Sequence, residues 1–353
     1  MSAPLALITG AAGFIGRSTV REFVQRGWRV CALIHRHSAP DLEAPALRAP
    51  VHIVRGDVTE FASLQAIFRD AAQNQGRRFD AVIHCVGRAS DVGRDADFRR
   101  ANFESVRHLV ELMKQFDIGR FVFVSTTDVY GLRDFSGEPE DALTLPAGLR
   151  HPYPRYKFAA ERFIRKQLPP ERYAIVRPAA VWGVGDSTLT PRIVSHLRRW
   201  PWIVHFGRWR GCNRWPLAYV RNVTAALFLA ATSPDAAGQT FNVLDSERTT
   251  IDAFCRMIAS VYFPDRTYRS ITLPLWLGLV MGGFISGISN ALRLEKPFTD
   301  PTAYAARSVA ANLDFDNGRF VDLMKRNGMR LVTREEGMEE LQKGVEDLVS
   351  PDQ

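Results

Sequence analysis

An α/β fold, a doubly wound parallel sheet with a smaller C-terminal substrate lobe, follows from three features of the sequence. Short apolar runs alternate with helical patterns through the first two-thirds of the chain, as they do where crossover helices join parallel strands. A glycine-rich turn, "TGAAGFIG", ends the first apolar run and opens the first helical pattern. At 353 residues the chain has room for one such domain and an added lobe.

"LALIT" reads as the first strand, because its apolar run leads straight into the glycine turn and leaves no room for a signal peptide. A helix from about Arg17 to Arg26 follows. "RVCALIH" and "VHIVRGD" are the second and third strands, and a helix near Ser63 to Gln73 leads to "AVIHCVG", the fourth. A helix over about 101–116 precedes "RFVFVST", the fifth, and the helix containing Lys157 feeds "YAIVRP", the sixth. These units set a nucleotide-binding domain at 1–178. After Pro178 prolines, glycines and tryptophans crowd the chain, so 179–353 reads as a substrate-binding lobe. Its residues 216–245 or so return to the sheet through "TFNVLD". Thr333 and Glu336 form a capping box that opens a last amphipathic helix.

Bulk properties narrow the function. Hydrophobic residues at 46% and charged residues at 24% exclude a disordered or fibrous chain. A net charge of +8 points to nucleic acid, anionic lipid or a phosphate-bearing ligand. Cys31, Cys85, Cys212 and Cys255 are widely spaced with no C-x-x-C pair, which fits a reducing, cytoplasmic setting and no metal site.

The glycine turn carries the first chemistry. Gly10 permits the tight turn, Gly13 lets backbone amides approach a pyrophosphate, and Gly16 lets the helix pack closely on the sheet. Where an NAD-specific site would place an acid after the second strand, this chain has Arg36 and no carboxylate until Asp41. An arginine there suits a 2′-phosphate, which favours NADP(H) and leaves NAD(H) open. Asp57, followed by Val58, is placed either to accept from an adenine amino group or to cap the next helix. Ser125, Thr126 and Thr127 end the fifth strand, where ligands bind in such sheets, although hydroxyls there also satisfy strand ends. In "HPYPRYKFAAERF", Tyr153 stands four residues before Lys157 and shares its helix face. A nearby ammonium and a helix N-terminus both favour the phenolate, so Tyr153 is expected to be unusually acidic.

Together "TGAAGFIG", "GDVT", "ANFESV", "VFVSTTDVYG", "YPRYK", "RPAAVWGVGD" and "YVRNV" resemble the extended short-chain dehydrogenase/reductase family, of the NAD-dependent epimerase/dehydratase type. The resemblance covers nearly the whole chain and implies a Rossmann domain. By it, Thr126, Tyr153 and Lys157 are the catalytic hydroxyl, acid and lysine, with threonine standing for the family's serine. Tyr156 is then a packing wall. The resemblance also implies a cofactor site of Gly10, Gly13, Phe14, Ile15, Gly16, Arg36, Asp57, Val58, Asn102, Tyr153, Lys157, Pro178 and Val181. NADP(H) would exchange a hydride with a carbonyl or carbinol carbon while Tyr153 exchanges the proton and Lys157 lowers its pKa.

"RPAAVWG" has Ala179 and Ala180 where sugar-nucleotide epimerases usually carry an asparagine. "YVRNV", with Asn222, is more similar to the 3β-hydroxysteroid dehydrogenase and dihydroflavonol reductase branch. That favours an apolar alcohol or ketone as the small-molecule substrate. A nucleotide-sugar epimerase or dehydratase holding NAD tightly is the alternative, and a non-catalytic NAD(P)-binding module is the alternative of another class. A homodimer through helices near 101–116 and 155–166 is implied by the resemblance alone.

Residues 270–292 contain no formal charge. A buried helix pair is the first expectation for them, a membrane-surface patch the second and a membrane span the third. Residues 196–215 mix tryptophan with arginine. A pocket wall ranks first there and an interface second, and no nucleic-acid partner is expected because no nucleic-acid fold accompanies them.

Overall fold

The computed structural model of the protein describes residues 3–44, 47, 50–73, 78–141 and 149–349. Seven strands form one sheet in the order β3-β2-β1-β4-β5-β6-β10. They are β1 (Leu5–Thr9), β2 (Arg29–Ile34), β3 (Val51–Arg55), β4 (Ala81–His84), β5 (Arg120–Val124), β6 (Tyr173–Pro178) and β10 (Thr240–Val243). All the pairings are parallel. β1 and β4 to β6 are almost wholly buried, which accounts for their continuous apolar runs: helices cover both faces. The strand order reverses between β1 and β4, and the crevice at the carboxyl ends there is where such sheets bind ligands.

α1 spans Phe14–Gln25, three residues earlier than the apolar spacing suggests, because Gly13 is its N-cap and the second half of the glycine motif forms its first turn. α2 (Phe61–Gln73) lies between β3 and β4. The helix expected over 101–116 is longer and not uniform. It runs as α3 (Asp95–Arg99), a π-helical turn (Arg100–Glu104) and α4 (Ser105–Gln115). The wide turn holds Asn102, whose side chain accepts from Arg88 N at 3.0 Å and donates to Arg88 O at 3.2 Å. Such turns inside helices frequently fall at functional sites. α5 spans Pro152–Gln167.

Beyond β6 the chain leaves the sheet. β7 (Ala180–Trp182) pairs with β9 (Leu217–Tyr219), and β8 (Trp202–Phe206) pairs with β11 (Arg269–Leu273). α6 (Leu189–Arg199) and α8 (Ile251–Tyr262) pack among them. α7 (Val220–Thr232) returns to α1, where Phe23 and Phe228 meet edge to face at 5.3 Å, and leads into β10. Asn222 of "YVRNV" is buried and structural. It donates to Asp245 Oδ1 and Val332 O and accepts from Val332 N. α11 (Gly318–Arg326) and α12 (Arg334–Val349) close the fold. The capping box forms as expected: Thr333 N donates to Glu336 Oε2 at 2.8 Å and Glu336 N to Thr333 Oγ1 at 3.3 Å.

The uncharged run is not a buried helix pair. It is β11 followed by one helix, α9 (Leu275–Ala291). Gly278, Gly282, Ile285 and Ser289 form its buried face, and a Cβ on Gly282 would lie 2.3 Å from Ala303 N of α10 (Ala303–Ala310). The opposite face exposes Trp276, Val280 and Phe284, the last at 70%. Among the described residues, no helix is long and apolar enough to cross a membrane.

Candidate active site

The carboxyl edge of the sheet gathers nearly every residue singled out from the sequence. At the β1–α1 turn Gly10 has φ +69°, a conformation that L side chains rarely adopt. Gly16 has no room for a side chain, since a Cβ would stand 2.0 Å from Gly10 O. Gly13 N donates to Gly10 O at 2.9 Å. No side chain caps α1 and no acid lies in its first turn, so the amides around Phe14 and Ile15 are left for an anion. A dinucleotide pyrophosphate fits this turn.

At the end of β2, Arg36 is exposed beside His35. Asp41, the first acid after it, is paired with Arg21 at 2.9 Å. Asp57 does not cap α2. Its Oδ1 accepts from the Thr59 amide and hydroxyl, both at 2.8 Å, closing a local turn, and Oδ2 lies 3.5 Å from His35 Nε2. Partial burial works to raise the pKa of this carboxyl, but the Thr59 bonds with His35 and Arg100 hold it below its ordinary value. Val58 is buried in the core, and its carbonyl accepts from His108 Nδ1 at 3.2 Å. Pro178 ends β6, paired with Val243, and Val181 lies half-buried in β7.

The three hydroxyls after β5 have different fates. Ser125 donates to Glu161, a fully buried carboxylate that also pairs with Arg177. That commits Ser125 to a structural network. Thr127 is buried in the short 3-10 turn over Thr127–Tyr130. Thr126 Oγ1 accepts from Asp128 N at 3.2 Å, and its hydroxyl neighbours the phenol of Tyr153.

α5 begins at Pro152, and its cap is His151, whose Nδ1 accepts from Tyr153 N at 3.3 Å. His151 Nε2 therefore carries the proton donated to Asp91 O at 3.1 Å. Lys157 is buried, and its ammonium donates to Val86 O at 3.3 Å and Val124 O at 2.8 Å. A Cβ on Gly87 would meet both Lys157 Nζ and Asn102 Oδ1, at 2.8 and 3.0 Å, so these two flank one backbone position. Tyr156 faces α3, where its hydroxyl donates to Asp95 at 2.5 Å.

The electrostatics correct one expectation. Burial first, and then the charge of Asp128, raise the pKa of Tyr153 against the smaller, opposite effect of the Thr126 hydroxyl. Lys157 does not offset this, because its ammonium is turned to backbone carbonyls and burial pulls its own pKa down to about 8. Tyr153 is therefore a phenol at neutral pH.

Two residues at this centre were not singled out from the sequence: Asp128 and Tyr304. Tyr304 of α10 donates its hydroxyl to Asp128 Oδ2 at 2.6 Å and lies over His151 with ring centroids 4.1 Å apart. Asp128 is visible within "TTDVYG" but could equally cap a turn. Tyr304 comes from the far lobe and has no local signal.

Comparisons with known proteins give the family. Residues 6–243 match the NAD dependent epimerase/dehydratase family. The chain is 30% identical over 240 residues to the 2-alkyl-3-oxoalkanoate reductase of Stenotrophomonas maltophilia, which covers 65% of this chain and 67% of the relative. It is 28% identical over 270 residues to a 3 beta-hydroxysteroid dehydrogenase/Delta 5→4-isomerase of Mycobacterium tuberculosis, covering 71% and 68%. It is also 30% identical over 167 residues to the UDP-glucose 4-epimerase of Mus musculus, where the match covers 45% of this chain and about half, 47%, of the relative. Among solved structures, the UDP-glucose 4-epimerase of Thermotoga maritima aligns with a TM-score of 0.70 at 19% identity, over 98% of this chain and 99% of that one, which is a likeness of fold. The chain belongs to the NAD dependent epimerase/dehydratase family and is an NAD(P)-dependent enzyme of the extended short-chain dehydrogenase/reductase type.

Proposed function

We propose that this enzyme is an NADP(H)-dependent oxidoreductase that interconverts a carbonyl and a secondary alcohol on an apolar, lipid- or steroid-like substrate. The observation that carries this reading is the placement of three side chains at one end of the sheet: Thr126 after β5, Tyr153 in the first turn of α5, and the buried Lys157 four residues on, whose ammonium bonds Val124 O two residues before Thr126. The bound dinucleotide supplies the hydride. Gly10, Gly13 and Gly16 would hold its pyrophosphate, Arg36 a 2′-phosphate, and Lys157 its nicotinamide ribose. Thr126 orients the reacting oxygen and Tyr153 gives it a proton. A phenol that stays protonated is suited to reduction. The 2-alkyl-3-oxoalkanoate reductase and the 3 beta-hydroxysteroid dehydrogenase supply the precedent for a ketone on an apolar skeleton.

The apolar face of α9 supports contact with a membrane surface, a location from which such substrates are drawn. The test is to denature freshly purified protein, identify the nucleotide released, and then assay NADPH oxidation with a panel of hydrophobic ketones. Little bound nucleotide, with turnover of a ketone, is the expected result. Near-stoichiometric NAD with no ketone turnover would move the enzyme to the epimerases and dehydratases.

A further inference from the structure

We propose that Arg17 is a further binding residue for the dinucleotide: its guanidinium bonds the pyrophosphate, and Gly185 O holds it in place to do so. The inference rests on the dinucleotide site at the glycine turn, which family membership supplies, and not on the choice of NADP(H) or of an apolar ketone. Arg17 is the fourth residue of α1, and its amide donates to Gly13 O at 2.9 Å. Helical side chains lean towards the N-terminus and cover the turn before their own Cα. That direction carries the Arg17 side chain towards Gly13, whose bare backbone lets a pyrophosphate approach.

The guanidinium is held but not neutralised. Its Nη2 donates to Gly185 O at 2.9 Å, in the segment between β7 and α6. A Cβ on Gly185, which has φ +84°, would lie 3.2 Å from the same nitrogen. A backbone carbonyl carries no net charge, and the bond uses one of five N–H donors. The acid next to Gly185 is committed elsewhere: Asp186 accepts from the amides of Thr188, Leu189 and Thr190 at 2.8, 3.2 and 2.6 Å, where α6 begins. Arg21, one turn further along α1, is paired with Asp41. Among the described residues Arg17 pairs with no carboxylate.

A cation in the first turn of a helix faces the positive end of the helix dipole, where anions are favoured. α1 has no acid in that turn and no side chain capping it. A half-buried arginine without a counter-ion is therefore at odds with its own helix until an anion reaches the turn. A pyrophosphate answers the helix amides and the guanidinium together, and the planar fork of an arginine matches phosphate oxygens. The bond to Gly185 then ties the cofactor turn to the segment that follows β7, 168 residues along the chain.

Binding of three ligands isolates this contact. The full chain and its Arg17→Gln, Arg17→Met and Arg17→Lys variants are titrated calorimetrically with NADPH, NADH and ADP-ribose. ADP-ribose keeps the pyrophosphate and lacks both the 2′-phosphate and the nicotinamide. Arg17→Gln retains a donor for Gly185 O without the charge, and Arg17→Lys retains the charge. Affinity for all three ligands is expected to fall by about tenfold or more in Arg17→Gln and Arg17→Met, the worth of a charged hydrogen bond, and by less in Arg17→Lys. Wild-type affinity in Arg17→Gln would overturn the inference, because the bond to Gly185 alone would then suffice. A loss confined to NADPH would overturn it as well, by assigning Arg17 to the 2′-phosphate. Should Arg17→Gln fail to fold, Arg17→Met carries the same prediction. The test reads binding alone, so a ketone panel without turnover removes the proposed substrate and leaves the role of Arg17 standing.

Discussion

The ammonium of Lys157 lies 2.8 Å from the carbonyl oxygen of Val124, the last residue of β5 and two residues before Thr126. The lysine is thereby anchored to the strand that leads into Thr126 rather than to the tyrosine one helical turn before it. In the proposed function its task is to hold the nicotinamide ribose.

A pH dependence follows. Lys157 loses its proton as pH rises through about 8, so cofactor affinity should fall above that value. Because the folded pKa lies below the ordinary value of about 10.4, the folded chain holds this proton less tightly than the unfolded chain. Its contribution to stability is therefore unfavourable below pH about 8 and recovers as pH rises towards 10.4. Lys157→Met should abolish the decline in NADP binding by binding weakly at every pH. Urea unfolding should show the wild type gaining stability relative to the variant between those two values.

Gly16→Ala should cripple the cofactor site. Its methyl would stand 2.0 Å from Gly10 O, so α1 must move off the turn. A destabilisation of about 1–3 kcal/mol in chemical denaturation is expected from the overpacking. Isothermal titration should show the affinity for NADP reduced well beyond what a stability change alone would cause.

The buried Glu161–Arg177 pair is the structural counterpart of the reaction centre, with Ser125 attached to it. Arg177→Met leaves a buried carboxylate and should cost about 3–5 kcal/mol by denaturant unfolding. Burial alone would raise the pKa of Glu161, but Arg177, Arg165 and Ser125 outweigh it and hold the carboxyl below its ordinary value. Its stabilisation is therefore present above the ordinary glutamate range and lost as pH falls through the lowered value. Glu161→Gln should flatten the acid limb of a stability profile.

Arg36→Glu should reverse cofactor preference. The exposed guanidinium is suited to a 2′-phosphate by charge, and a carboxylate repels that group while bonding ribose hydroxyls. The ratio of kcat/KM for NADPH over NADH is expected to fall by about tenfold or more, the worth of a charged hydrogen bond.

Exposed apolar side chains on α9 should give measurable lipid binding. Val280 and Phe284 lie one turn apart on an exposed face that none of the described residues covers. Wild-type protein should sediment with anionic vesicles, and Val280→Glu with Phe284→Glu should leave it in the supernatant. Equal sedimentation of both would remove the membrane reading.

How much of this was legible depends on distance along the chain. The glycine turn, Arg36 at the end of β2 and the Tyr153–Lys157 spacing could be placed from the sequence because each is set by local position on a strand end or a helix face. The choice among Ser125, Thr126 and Thr127 was not, since it depends on Glu161 and Arg177 claiming Ser125 in three dimensions. The π-helical turn at Asn102 depends on a bond to Arg88, fourteen residues back. Tyr304 is 176 residues from Asp128, and no periodicity reports such a contact. The acidity of Tyr153 was misread for a related reason. Spacing puts an ammonium on its helix face, but that ammonium is turned to backbone carbonyls, while burial and a carboxylate from the turn after β5 raise the pKa.

The central claim is that Tyr153 donates the proton in a carbonyl reduction. Its most direct test is Tyr153→Phe against the wild type, measuring NADPH binding and NADPH-driven reduction of the ketone found in the panel. The account predicts unchanged NADPH affinity and kcat lower by about 100-fold or more. A variant that reduces the ketone at the wild-type rate would contradict it.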